Sequence, residues 1–208
     1  MPRNNIIALL LLLIPFTAAA KTGWDLCVSS NQRFLQHTDG TPFFWLGDTG
    51  WLLPTKLDRD EARNYLQTAH DNGYNVVQVQ TLCGVPCVNV YGQYSNNRYE
   101  PWDMSCFDNN SMTYTYWDHM DYIISEAERH GIYIAMDCIW GGLVKSGLID
   151  TEGAEAYGTF LAERYKKHPN IIWMIGGDIQ GDIKPKVWET LAKTIKSIDS
   201  NHLMTYHP

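Results

Sequence analysis

Five short apolar runs in this chain each stop at a polar or ionisable residue. "FFWLG" leads into Asp48, "NVVQV" into Gln80, "YIAM" into Asp137, "WMIGG" into Asp178 and "LMTY" into His207. Carboxylates beside a core cost free energy, so folding alone is a poor account of the pattern. A set of Asp, Gln and His side chains gathered on one rim suits general acid–base chemistry. For Asp48 and Asp137, a plain role as helix N-cap or turn former weighs equally. Asp178 is the sharper case. Flanked by Trp173 and Ile179 at the mouth of an apolar strand, its carboxyl is expected to be desolvated and to hold a proton near neutral pH. The two glycines before it let a ligand approach the backbone closely. Asp182 is the rival acid, four residues on in a more solvated loop.

The elements that must carry these residues alternate. In "LDRDEARNYLQTAHDNG" (57–73), Asp58 and Glu61 have capping-box spacing. Ala62, Tyr65, Leu66 and Ala69 share one helix face, and Gly73 stands where a helix ends. "YNVVQVQ" (74–80) follows as a buried strand. Helices over 115–131, 151–169 and 184–202 are each followed by an apolar strand, at 132–137, 170–175 and 203–207. Before them, "NQRFLQHTDGTPFFWLGDTG" (31–50) reads as a hairpin around Asp39-Gly40. Its second run, "PFFWLG", looks like a strand buried on both faces. Alternation of this kind predicts parallel strands with helical crossovers, in an open doubly wound sheet or a (β/α)8 TIM barrel. No glycine-rich nucleotide fingerprint follows a strand, so the barrel is preferred and no cofactor is expected. In a barrel all strand-end loops share one face. The irregular segment 82–114 would lie over that face as a wall of the cleft.

The first twenty residues read as a secretory signal peptide. Arg3 is a short positive region, "IIALLLLLIPF" an apolar core too short to span a bilayer, and "AAA" (18–20) a cleavage site. The expected product, residues 21–208, is secreted or periplasmic with no membrane anchor. Without Arg3 it carries 15 basic against 23 acidic residues. That balance argues against nucleic acid and anionic membrane surfaces as partners. Eight Trp and twelve Tyr in an exported acidic protein suit a carbohydrate, whose apolar ring faces stack on flat side chains. The five cysteines (Cys27, Cys83, Cys87, Cys106 and Cys138) are free to form disulfides outside the cytoplasm. A pair among Cys83, Cys87 and Cys106 is the favoured one. Metal binding at "CGVPC" is disfavoured because no second cluster of ligands accompanies it.

Two stretches carry a family resemblance. "DGTPFFWLGDTGWLLPTKLDRDEARNYLQTAHDNGYNVVQVQTL" (39–82) and "IIWMIGGD" (171–178) resemble the apiosidase-like glycoside hydrolases, secreted bacterial (β/α)8-barrel enzymes. The resemblance runs from about residue 30 to the C-terminus. It implies a retaining, exo-acting glycosidase that removes a branched pentose or similar sugar from plant cell-wall polysaccharide. In related barrels the general acid/base follows the fourth strand and the nucleophile the seventh. Counting "PFFWLG" as the first strand puts Asp178 at the acid/base position. Asp48, Trp51, Gln80, Asp137, Trp140 and His207 become candidate sugar-binding residues. The chain runs through about five of eight strands, so it reads as the N-terminal portion of such a barrel, lacking the nucleophile and expected to be poorly soluble through its open sheet edges. A non-catalytic sugar-binding protein using the aromatic rim is the competing reading.

Overall fold

Asp58 starts the first long helix as its spacing requires. Its side chain accepts from the Glu61 amide and the Glu61 carboxylate accepts from the Asp58 amide, completing a capping box on α2 (Arg59–Asp71). The helix buries Ala62, Leu66 and Ala69 and hands over to β5 (Val76–Gln80). The same unit recurs as α3 (Tyr116–Arg129) and β6 (Tyr133–Asp137), α5 (Thr151–Tyr165) and β7 (Ile171–Gly176), and α6 (Pro185–Ile198) and β8 (Met204–His207). Two short helices, α1 (Leu53–Lys56) and α4 (Gly141–Lys145), follow β4 (Gly47–Thr49) and β6. The strands form one parallel sheet in the order β4-β5-β6-β7-β8. This computed structural model describes residues 24–104 and 113–208. The signal-peptide reading of residues 1–20, and Cys106, lie outside the described residues.

One expected strand divides in two. "PFFWLG" is not a single buried strand: Pro42–Phe43 forms β3 of a separate antiparallel sheet with β1 (Leu26–Val28) and β2 (Leu35–His37). The barrel-type sheet begins only at Gly47. Between them Phe44 is 78% exposed. Asn75, at the foot of β5, bridges the gap, donating to Phe44 O at 2.7 Å and accepting from the Leu46 amide at 2.9 Å. The Asp39-Gly40 hairpin is present, joining β2 to β3.

Register separates the two faces of the parallel sheet, because side chains alternate along a strand. Val77, Val79, Ile134, Met136, Trp173 and Ile175 belong to the larger core, which includes the helices. Val76, Tyr133, Ala135, Ile172 and Met174 form a smaller cluster on the other face, flanked by Trp24, Leu26, Phe43 and Trp45 from the N-terminal sheet. That inner face is apolar at the start of the strands. At their ends it carries Gln80 beside Asp137 and Gly176 beside His207. β6 and β7 are buried at every position, the hallmark of parallel strands covered on both faces.

Candidate active site

The Asp178 turn is built on glycine. Gly176 and Gly177 take φ +113° and +114°, and Asp178 continues with φ +53°. A Cβ at Gly176 would collide with the His207 carbonyl, and one at Gly177 with the Trp140 ring. The Gly177 amide donates to His207 O at 2.8 Å. A left-handed Asp costs roughly 1–2 kcal/mol, although Asp tolerates it better than most residues. Here that conformation lifts the carboxyl clear of the strand. Asp178 is therefore 69% exposed, contrary to the desolvated carboxyl expected from its apolar neighbours.

Around it stand three rings. Trp51 lies 5.5 Å from Trp140 and 5.5 Å from His207, and Trp140 lies 5.9 Å from His207, centroid to centroid. His207 Nδ1 faces Asp178 Oδ1 at 3.7 Å. All three rings are partly exposed, so the group offers flat apolar area beside a carboxyl. Trp51 is also tied to the neighbouring strand, its carbonyl accepting from the Gln80 amide at 3.0 Å.

The remaining candidates are placed differently. Asp137 is on the inner face, but it is fully buried and neither carboxyl oxygen has a hydrogen-bond partner among the described residues. As placed, it cannot touch a sugar, which corrects the expectation of direct contact. Burial pushes its carboxyl well above the usual carboxylate range. The Ile139 amide opposes that shift without reaching hydrogen-bond geometry, and the Asp178 charge adds to it. Asp48 is turned to the helix side, where Tyr65 of α2 donates its hydroxyl to Oδ2 at 2.7 Å. Burial and this bond raise the Tyr65 phenol above its ordinary range. Asp48 thus stands apart from the ring cluster, and its partner is the one polar group on an otherwise apolar helix face.

A buried polar network, which sequence reasoning missed, fixes the strand end behind Asp137. The Thr81 amide donates to Asp137 O at 3.0 Å, and Thr81 Oγ1 lies 2.6 Å from Cys138 O and 2.7 Å from the Tyr157 hydroxyl. Tyr116 donates to Thr81 O at 2.6 Å. These partners are 35 to 76 residues apart in sequence, too far for any local pattern to reveal. Thr81→Val removes the hydroxyl and orphans Tyr157. An unfolding midpoint corresponding to a loss of about 1–3 kcal/mol is expected, and an unchanged midpoint would show the network to be dispensable.

The segment after β5 is anchored near the starts of the helices. The Arg59 amide donates to the Tyr91 hydroxyl at 2.9 Å, Trp117 Nε1 to Ser95 O at 2.8 Å and Trp102 Nε1 to Leu148 O at 3.1 Å. Cys83 and Cys87 form a disulfide, so these thiols are not metal ligands. Among the described residues no group of three or more His, Cys, Asp or Glu is placed to hold a metal ion, and no helix is long and apolar enough to cross a membrane.

The family model described as "Apiosidase-like, catalytic domain" matches residues 29–208. A solved structure described as "Glycoside hydrolase" is 56% identical, with TM-score 0.86, over 90% of this chain and 41% of its own. A glycoside hydrolase family 5 protein from Bacteroides vulgatus ATCC 8482 is also 56% identical, with TM-score 0.86, over 89% of this chain and 40% of its own. The endo-1,4-beta-D-mannanase of Thermotoga petrophila RKU-1, at 16% identity and TM-score 0.57 over 79% of this chain and 55% of its own, shares the fold. No curated protein matches. The chain spans about two-fifths of the length of the first two solved relatives. Its five parallel strands are staves of the TIM barrel these glycosidases share, and by the family match over residues 29–208 the chain belongs to the apiosidase-like glycoside hydrolases.

Proposed function

We propose that this protein is a retaining, exo-acting glycosidase of plant cell-wall side chains, with Asp178 as the general acid/base. The observation that carries the reading is the position of Asp178. It follows β7, the fourth strand of the parallel sheet, and shares the mouth with Trp51, Trp140 and His207. A branched pentose stacks its apolar face on the tryptophans while Asp178 faces the glycosidic oxygen. Asp137 and Gln80 lie beneath as support. A retaining mechanism needs a second carboxylate about 5 Å from the first. On this reading it comes from barrel strands beyond the five described, and the 208-residue chain alone does not hydrolyse glycosides. The leader-like residues 1–20 support a secreted or periplasmic location, where such polysaccharide is met.

Binding tests the reading separately from turnover. Pentose-branched cell-wall oligosaccharides should quench tryptophan fluorescence saturably, and Trp140→Ala should weaken the binding about tenfold, since an aromatic contact is worth about 0.5–1.5 kcal/mol beyond its buried area. Absence of saturable binding to any such oligosaccharide would count against both the enzyme and a non-catalytic sugar binder. The binder reading is favoured only if sugars bind while a protein carrying the whole barrel shows no hydrolysis.

A further inference from the structure

We propose that His207 orients the Asp178 carboxyl, with Nδ1–H donating to Asp178 Oδ1. The inference rests on the reading of Asp178 as the proton-transferring group and gives His207 a positioning role beyond that of a cleft wall. His207 Nδ1 is buried and has no hydrogen-bond partner among the described residues, and the carboxylate it faces is Asp178 Oδ1 at 3.7 Å. That separation is too long for a hydrogen bond, but a carboxylate this close favours the proton on the facing ring nitrogen even in the unliganded site, and such bonds often tighten when substrate binds. A buried ring nitrogen without a partner is costly, and Asp178 is the acceptor within reach.

The surroundings hold the ring to this task. Trp51 and Trp140 pack against the imidazole at 5.5 and 5.9 Å, inclined by 75° and 50°. The His207 carbonyl accepts from the Gly177 amide at 2.8 Å, which ties His207 directly to the turn that carries Asp178. An exposed carboxyl on such a turn has several rotamers open to it. A donor on Oδ1 selects one of them and leaves Oδ2 for the glycosidic oxygen. Orientation of this kind is a recognised source of rate.

The tautomer of the His207 ring tests this directly. A neutral imidazole carries one N–H, and the hydrogen bonds available decide which nitrogen holds it. Long-range 1H–15N spectra of a protein carrying the whole barrel would be recorded at about pH 9, where an ordinary imidazole is neutral. The His207 signals are assigned by their loss in His207→Phe. The expected result is a protonated Nδ1, with Asp178→Ala moving Nδ1 toward the bare-nitrogen position. A bare Nδ1 in the parent chain overturns the proposal, as does a protonated Nδ1 that Asp178→Ala leaves unchanged. If Asp178→Ala does not fold, the parent tautomer decides alone. No sugar is present, so the outcome is independent of whether the protein binds or cleaves glycosides.

Discussion

Asp178→Asn, in a protein carrying the whole barrel, is expected to lower turnover of natural glycosides by about 10²–10⁴-fold, the usual worth of general acid–base catalysis. Asparagine keeps the size and an acceptor oxygen but has no proton to give. A glycoside whose leaving group needs no protonation should escape the loss in its first step. Added azide should then restore turnover, because it needs no general base to attack the glycosyl-enzyme. Asp182→Asn should do much less. Asp182 lies beyond the Asp178 turn, four residues along the loop, and no ring of the site packs near it in the described contacts. Near-normal turnover in Asp178→Asn, with loss in Asp182→Asn, would move the acid to the other aspartate.

Asp199→Ala is expected to cost about 3 kcal/mol in chemical denaturation. Asp199 is 2% exposed and joins α6 to β8, the strand that ends in His207. Its Oδ2 accepts from Trp173 Nε1 at 2.8 Å and from His202 Nδ1 at 2.5 Å, and its Oδ1 accepts from the Asn201 and His202 amides. Alanine leaves the Trp173 N–H buried without an acceptor, and hydrogen bonds to a charged group are worth about 1.5–3 kcal/mol. Burial raises the Asp199 carboxyl, but the bonds from His202 and Trp173 outweigh it and hold the carboxyl below the ordinary aspartate range. A carboxylate that titrates lower when folded stabilises the fold above its unfolded value, about 3.9. That contribution disappears as pH falls through the folded value. The gap between parent and Asp199→Ala should therefore be full at pH 7 and narrow below about pH 4. A gap that does not change with pH would mean the charge contributes nothing.

Local rules made most of the scaffold legible. The capping box at Asp58 and the apolar face of α2 are decided within a few residues, and they stand where their spacing put them. The parallel strands were legible because burial on both faces leaves uninterrupted apolar runs. "PFFWLG" failed for the same reason. A continuous apolar run has no period, so nothing local says that Phe43 belongs to one sheet, Gly47 to another, and Phe44 to solvent. The division depends on Asn75, some thirty residues away. At the site, the strand-end positions of Gln80, Asp137, Asp178 and His207 were legible, but the environments of two carboxyls were not. The double-glycine turn carries Asp178 out into water, whereas the end of β6 folds Asp137 under. Side-chain direction at a strand end depends on backbone geometry that a string of residue types does not encode. Asp48 illustrates the other limit: one step in strand parity sends it to Tyr65 instead of the mouth.

The alternation of faces bears on where this chain accepts length changes. The connections at the far end from Asp178 are short: Asp71 to Val76, Arg129 to Tyr133, Tyr165 to Ile171. Inserting one residue within β5, β6 or β7 would exchange the inner and outer sets of side chains, sending Gln80, Asp137 or Gly176 into the helix layer and their apolar neighbours into the mouth. The described residues between Leu82 and Tyr114 form no strand of the parallel sheet, so no such parity holds there, although the Cys83–Cys87 disulfide and buried Asn89, Ser95 and Asn96 pin its first part. Insertions and grafted loops should therefore be absorbed around exposed positions such as Tyr99, at 88% exposure, while the strands keep their lengths.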